Sequence, residues 1–239
     1  MPNESRTEEP ISTAVAGDGA GDAISSEKRG SYLGFSAHEI RNPLSTALWS
    51  AELLCRLSSE ERAGARGEKL SGMCLRALRR LRVLVEDHFL VERLTTGGLP
   101  MRLEAVSVAE VVAAIAPKAG ATNLALGLEA GLFVWADRGM LERALEALLA
   151  ASARGESPVR VEGSRAGARA EIRVRGAPPA KDALALPQKG TASDPSGRAL
   201  ALYAAKRVAH AFGGSLTTTA EAYLLALPLP PPEVSAENH

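Results

Sequence analysis

The chain has 239 residues, of which 46% are hydrophobic and only 4% are aromatic. This length suits two modest domains whose cores are built mainly from Leu, Val, Ala and Ile. The 28 Lys and Arg residues balance the 28 Asp and Glu residues, so net charge predicts neither nucleic-acid nor membrane binding. No apolar run is long enough to cross a bilayer, and the first thirty residues lack a signal-peptide core, so we expect a cytoplasmic protein. The two cysteines, Cys55 and Cys74, lie within helical patterns and do not indicate a metal site.

The first part of the chain is predicted to form an arm and two long helices. Residues 1–28 lack periodicity, which is typical of a disordered arm. The first helix is predicted over residues 31–57, and a polar break at 58–67 separates it from a second helix that ends before Gly97. The apolar stripe of the first helix is Ala37, Ile40, Leu44, Ala47, Ala51 and Leu54. The stripe of the second is Leu70, Met73, Ala77, Leu81, Leu84, His88 and Val91.

Two antiparallel helices with one apolar stripe each cannot bury both stripes by themselves. Pairing two hairpins buries them, so residues 29–97 are predicted to form a dimeric four-helix bundle. The second helix also carries a basic band, which is either a solvated face or a docking surface for an acidic partner. This band consists of Arg76, Arg79, Arg80 and Arg82.

Residues 98–228 alternate short strand patterns with helices, which predicts a two-layer α+β sandwich. Three helices are predicted: Ser107 caps one that runs to 116, Asp137 caps one at 140–153, and the third covers 197–211. A Glu-Ala-Gly turn at 129–131 joins the second and third strand patterns. The strands are predicted at 101–105, 124–128, 132–135, 159–163, 170–174, 215–219 and 222–227. Residues 229–239 are expected to form a loose tail.

The segment from Phe35 to Leu44 sets a histidine beside an acid, a base and an amide. His38 follows a stripe position directly, so its side chain is rotated about 100° toward solvent. A neutral imidazole near pH 7 is a competent nucleophile, and Glu39 beside it can orient the ring or take its proton. The string Phe35-Ser36-Ala37-His38-Glu39-Ile40-Arg41-Asn42-Pro43-Leu44 resembles the phosphoacceptor box of bacterial sensor histidine kinases, Phe-x-x-His-Glu-(Ile/Leu)-Arg-(Asn/Thr)-Pro-Leu, at every position of that pattern.

This resemblance implies roles for four residues. His38 is expected to accept the phosphoryl group through Nε2, with Glu39 orienting or deprotonating the ring. Asn42 is expected to position water for dephosphorylating a receiver domain, and Arg41 to neutralise phosphoryl charge. Magnesium is expected on the partner receiver domain rather than on this chain.

The second domain resembles the ATP-binding domain of histidine kinases. The local matches are Asp137–Leu145, Lys189-Gly190, Ser196–Lys206 and Ala211–Ser215. With the phosphoacceptor box, the resemblance covers roughly residues 30–228.

Three nucleotide-binding motifs of working kinases are altered here. Ala147 and Ala151 replace the asparagines of Asn-Leu-Leu-x-Asn-Ala, and alanine offers no oxygen to magnesium. Arg175 replaces the aspartate of Asp-x-Gly-x-Gly, so a donor stands where the adenine amine needs an acceptor. Of the three glycines of Gly-x-Gly-Leu-Gly-Leu, only Gly197 remains, and Ala199 and Ala201 add methyl groups where the backbone must approach phosphate closely. We therefore expect a degenerate ATP site, with no cofactor and no metal bound by this chain.

An acceptor histidine without a working ATP site predicts a histidine phosphotransferase of a two-component phosphorelay. His38 would carry a phosphoryl group between response-regulator receiver domains, and a hybrid histidine kinase is an expected upstream partner. One alternative is an active histidine kinase that labels His38 from ATP through divergent nucleotide contacts. Another is a non-catalytic pseudokinase scaffold that binds a receiver without transferring phosphate. A plain dimeric helical module with an incidental histidine accounts poorly for the complete acceptor box.

Overall fold

The computed structural model describes residues 26–154, 157–188 and 197–232, with side chains from residue 28 onward. Most of the predicted arm and the end of the predicted tail lie outside these ranges, as do Lys189, Gly190 and Ser196. Within these ranges no helix is long and apolar enough to span a membrane.

The N-terminal region is a helical hairpin. Its long helices are α1 (Ser26–Arg56) and α3 (Ala65–Thr95), and the short helix α2 (Ser59–Ala63) lies between them. The predicted polar break therefore contains a helix, because a capping box nucleates it: the Glu61 amide donates to Ser58 Oγ, and the Ser58 amide donates to the Glu61 carboxylate. The first helix begins five residues earlier than predicted. The added residues form a polar first turn, and Tyr32, one turn further on, is fully buried and holds this end of α1 in the hairpin.

Within one hairpin, the stripe predicted for α3 is buried at Leu70, Ala77, Leu84 and Val91. In the stripe predicted for α1, Ala37 and Leu44 are exposed in the single chain, so their burial against a second copy stays a prediction. Three polar residues, Ser36, Glu39 and Ser50, lie in the buried face of α1, and an apolar pattern cannot reveal them. The buried face of α1 consists of Tyr32, Phe35, Ser36, Glu39, Pro43, Ala47 and Ser50.

The second domain is a two-layer sandwich. Its helices are α4 (Val108–Ile115), α5 (Arg138–Ser152) and α6 (Arg198–Ala211). Ser107 caps α4 and Asp137 caps α5, as predicted, each accepting a hydrogen bond from the amide three residues on. The strands are β1 (Glu104–Ser107), β2 (Leu124–Leu128), β3 (Phe133–Ala136), β4 (Val159–Ala166), β5 (Arg169–Arg175), β6 (Ser215–Thr218) and β7 (Ala222–Pro228).

Five of the strands form one mixed sheet in the order β2-β4-β5-β7-β6, in which only β2 and β4 are parallel. The predicted β4–β5 and β6–β7 hairpins are confirmed. The turn at 129–131 does not make a hairpin, because β3 pairs with β1 in a separate two-stranded sheet. The first strand lies later than predicted: the Arg102 amide donates to Asp137 Oδ2 at the cap of α5, and pairing with β3 begins at Glu104.

The inner face of the large sheet packs against the helical layer, where alternate residues of β4, β5 and β7 are buried. The helical hairpin packs against the other side of that layer, mainly through α3 and α6. Buried residues of the hairpin and of the sandwich therefore form one continuous core, to which Tyr32, Leu84, Leu90 and Val91 belong. This docking brings α3 beside Ala147 and Gly197, two of the positions singled out in the sequence.

Candidate functional site

The histidine of the acceptor box lies on the surface of the hairpin. The side chain of His38 is 59% exposed on α1, which confirms the predicted rotation toward solvent. Its Nδ1 atom lies 3.5 Å from Oε1 of Glu39. The Nε2 edge of the ring is the one that does not face the carboxylate. An incoming phosphoryl group can therefore approach an accessible nitrogen.

Glu39 points into the hairpin, where its side chain is only 2% exposed. Its second oxygen, Oε2, accepts a hydrogen bond of 3.3 Å from Nη2 of Arg80 on α3. A buried carboxylate is costly without a compensating cation, so this contact stabilises the charged form in place. The two oxygens of one carboxylate thus face two partners, the half-buried Arg80 and the exposed His38.

Sequence reasoning placed Arg80 in a basic band and missed its contact with Glu39. The signal was available in the spacing: Glu39 lies 19 residues before Ser58 and Arg80 lies 16 residues after Gly64, so an antiparallel hairpin brings them opposite each other. The same register pairs Arg29 with Glu92 at 2.7 Å.

Two further residues of the acceptor box, and the serine that follows it, lie on the same surface as His38. Arg41, Asn42 and Ser45 are all exposed, within two turns of His38. Pro43 is accommodated inside α1 and is buried. Arg41 and Asn42 are therefore open to an approaching partner, as their predicted roles require.

The four positions of the predicted degenerate ATP site, Ala147, Ala151, Arg175 and Gly197, do not share one cavity. Ala147 and Gly197 line a cavity of about 490 Å³, named here the α3 cavity because residues of α3 close one side of it. Ala151 lines a second cavity, of about 390 Å³, between α6 and the segment 178–187. Arg175 lines a third, shallower depression at the end of the sheet. The structure thus brings together only two of the four predicted positions.

Helix α3 closes the α3 cavity by direct packing. Leu84 is 2% exposed, and its Cδ2 atom lies 3.0 Å from where a β-carbon on residue 197 would stand. Gly197 has φ +71°, which glycine adopts without strain. The one glycine that survives from the phosphate-binding motif therefore leaves the space into which Leu84 of the hairpin packs.

An ion pair fixes the same contact. Arg143 of α5 donates from Nε and Nη2 to Oδ1 of Asp87 on α3, at 3.0 and 2.8 Å. The side chain of Asp87 is 3% exposed, and burial raises the pKa of this carboxyl above its ordinary value, while Arg143 opposes that shift. Sequence reasoning missed this pair, because its two residues are 56 positions apart on different domains.

The charges around the α3 cavity disfavour a polyphosphate. Four carboxylates and two guanidinium groups line it, which leaves an excess of negative charge. Carboxylates repel phosphate oxygens, and one of the two guanidinium groups, that of Arg143, already pairs with Asp87. The residues present do not fit a magnesium triphosphate. The acidic residues that line the α3 cavity are Glu86, Asp87, Glu142 and Glu146.

A second histidine has a structural contact. His88 lies in the α3 stripe, as predicted, and its Nδ1 atom is 2.8 Å from the hydroxyl of Tyr32. The two rings stack with centroids 5.3 Å apart. Burial raises the pKa of the Tyr32 hydroxyl, so this group stays protonated and can donate to the imidazole. His88 therefore joins the two helices of the hairpin.

No cluster of three or more His, Cys, Asp or Glu side chains that could hold a metal ion occurs within residues 26–154, 157–188 and 197–232.

Comparison with protein-family models and with curated proteins finds no match. Among solved structures, the Acinetobacter baumannii histidine kinase AdeS is similar, with a TM-score of 0.61 and 16% identity, over 81% of this chain and 98% of that chain. Full-length ShkA, solved in complex with AMPPNP, is similar with a TM-score of 0.53 and 20% identity, over 83% of this chain and 45% of that chain. At such identities the likeness concerns the fold. The chain has the fold of a histidine kinase core, a helical hairpin followed by an α/β domain of the histidine kinase ATPase type.

Proposed function

We propose that this chain is a histidine phosphotransferase of a two-component phosphorelay, in which His38 carries a phosphoryl group between receiver domains. The observation that carries the proposal is the exposed imidazole of His38 beside the buried Glu39 carboxylate, which Arg80 holds from behind. The acceptor box places His38, Arg41 and Asn42 on one accessible face of α1 and the Glu39 carboxylate beneath the histidine ring. A histidine kinase fold supports a role in two-component signalling.

The proposed phosphoryl transfer needs no cofactor on this chain, because the receiver supplies both the phosphoryl group and the leaving group. The lone pair of His38 Nε2 attacks the phosphorus of an aspartyl phosphate on the receiver, and the bond from phosphorus to the aspartyl oxygen breaks in line. The carboxylate of that aspartate leaves with the electron pair. The imidazole becomes a positively charged phosphoimidazole whose Nδ1 proton faces Glu39, so the carboxylate stabilises the new charge. Reversal of these steps passes the group to a second receiver.

The α3 cavity argues against ATP as the donor. Leu84 packs against Gly197, and more carboxylates than guanidinium groups line the α3 cavity. A triphosphate would instead require hydrogen-bond donors and magnesium there. The proposal therefore assigns the sandwich a structural role, which is to hold the hairpin and shape the surface that a receiver meets. Magnesium belongs in this scheme to the receiver.

A second copy of the chain completes the bundle in this proposal. Beside the face packed within the hairpin, α1 and α3 each expose large apolar side chains: Leu44 (49%), Leu48 (59%) and Trp49 (55%) on α1, and Leu75 (48%), Leu78 (47%) and Phe89 (60%) on α3. Large apolar residues exposed in this number on one element mark an interface. Pairing two hairpins through these residues gives a four-helix dimer.

The direct test uses receiver domains of the source organism, each labelled on its aspartate by a radioactive small phosphodonor such as acetyl phosphate. Each is mixed with the full chain. We expect at least one receiver to pass label to this chain, in an acid-labile form that His38→Ala abolishes. The matched control is His210→Ala, which removes another exposed histidine on α6 and should leave labelling intact. Binding of receivers without transfer of label would instead indicate a scaffold.

A further inference from the structure

The contact between Arg80 and Glu39 has a consequence for the reactive ring. We propose that Arg80 is a positioning residue: by holding one oxygen of the Glu39 carboxylate, it aims the other at Nδ1 of His38. The ring then keeps its proton on Nδ1 and presents Nε2 to the phosphoryl group. This inference rests on the proposed function, which makes His38 the nucleophile.

The three side chains form a line across the hairpin, with the buried carboxylate between two more exposed groups. Arg80 is 26% exposed, Glu39 is 2% exposed and His38 is 59% exposed. Nη2 of Arg80 lies 3.3 Å from Oε2, whereas Nδ1 of His38 lies 3.5 Å from Oε1. Each carboxylate oxygen therefore has its own partner, and the orientation of the carboxylate plane decides whether the second contact forms.

Glutamate alone does not fix that plane. Its terminal torsion is broad and roughly two-fold, so a carboxylate with one weak partner samples many orientations. Arg80 restricts it, because Nη2 donates to Oε2 and so fixes the position of that oxygen. The cation also compensates the charge of a carboxylate that is almost fully removed from water.

The distance from His38 to Glu39 leaves room for tightening. At 3.5 Å, the contact between Nδ1 and Oε1 is longer than a normal hydrogen bond, and a modest rotation of the exposed ring closes it. Contacts of this kind often shorten only when the reacting partner binds. Once the ring is phosphorylated and positively charged, the held carboxylate becomes a charge-assisted acceptor.

The test measures the protonation pattern of the ring with no receiver present. ¹⁵N-labelled histidine in the full chain reports which nitrogen of neutral His38 carries the proton. We expect the Nδ1–H form to predominate in the unmodified protein. In Arg80→Gln its ratio to the Nε2–H form should fall about 3-fold, the change expected when a contact of hydrogen-bond strength weakens.

Three further variants isolate the mechanism. Arg80→Lys keeps the charge and should give an intermediate ratio. Glu39→Gln should shift the ratio as much as Arg80→Gln does, and the double variant should add nothing, because both changes break the same line of contacts. Arg66→Gln is the matched control: it removes an arginine of α3 that pairs with Glu61 at 3.1 Å, far from the ring, and should leave the ratio unchanged.

The inference is overturned if Arg80→Gln keeps the unmodified ratio. Should that variant fold poorly, as judged from its melting temperature, Arg80→Lys and Glu39→Gln decide in its place, and an unchanged ratio in Glu39→Gln overturns the inference equally. Because the measurement needs no receiver, the ratio tests the role of Arg80 even if phosphotransfer is never found.

Kinetics provide an independent readout once a receiver is known. A positioning role predicts that Arg80→Gln lowers kcat about 10-fold with little change in KM, a loss typical of removing the residue behind a reactive group. A rise in KM at constant kcat would assign Arg80 to docking of the receiver and would contradict the positioning role.

Discussion

Gly197 provides the sharpest test of how the two domains meet. A β-carbon on residue 197 would lie 3.0 Å from Cδ2 of Leu84, and that leucine is 2% exposed, so it has little room to move. Residue 197 also has φ +71°, a conformation that costs a residue with a β-carbon about 1 kcal/mol after the gain in unfolded-state entropy is counted. Overpacking against Leu84 adds about 1–2 kcal/mol. Gly197→Ala should therefore lower the free energy of unfolding by about 2–3 kcal/mol.

The matched control is Gly213→Ala. Gly213 has φ +74°, and no atom lies within 4 Å of the β-carbon position, so only the backbone cost of about 1 kcal/mol applies. Urea unfolding followed by circular dichroism, at one protein concentration, measures both. In a Leu84→Ala background the clash is gone, and Gly197→Ala should cost about as much as Gly213→Ala. Equal costs for the two glycine variants, with no coupling to Leu84, would refute the packing described here.

Three other changes have defined outcomes. Because burial raises the pKa of Asp87, the folded state binds the proton of this carboxyl more tightly than the unfolded state does, and its contribution to stability falls as pH rises from below 3.8 through the raised pKa. The difference in unfolding free energy between the unmodified protein and Asp87→Asn should therefore fall with pH over that range. A difference that does not change with pH would contradict this prediction. Leu48→Glu should convert a dimer to a monomer in analytical ultracentrifugation, whereas Leu126→Glu, which changes a similarly exposed leucine of β2, should not. Asn42→Ala should slow the loss of phosphate from a labelled receiver to water while leaving transfer to His38 detectable; unchanged hydrolysis would remove Asn42 from that role.

The elements of the fold follow from local sequence to a large extent. Asp137 and Ser107 begin helices as predicted because a capping side chain satisfies amides only three residues away. The two C-terminal hairpins follow from the alternation of buried and exposed residues along β4, β5 and β7. The exposure of His38 was predicted, although the stripe position before it, Ala37, is itself exposed in the single chain.

The contacts that complete the site depend on tertiary structure. The buried face of α1 includes Glu39, and a pattern of apolar residues assigns a glutamate to the solvent side unless its partner is known. The pairing of Asp87 with Arg143, and the packing of Leu84 on Gly197, join residues of different domains. No spacing within either domain predicts them. The altered nucleotide motifs can be recognised in the sequence, whereas the packing of α3 beside Ala147 and Gly197 cannot.

The most direct measurement compares two donors on the same protein. Full-length protein is incubated with γ-labelled ATP and magnesium in one reaction and with a labelled receiver in the other, each with His38→Ala in parallel. We predict label on His38 from the receiver and none from ATP. Labelling of His38 by ATP in the absence of any receiver would contradict the proposed function.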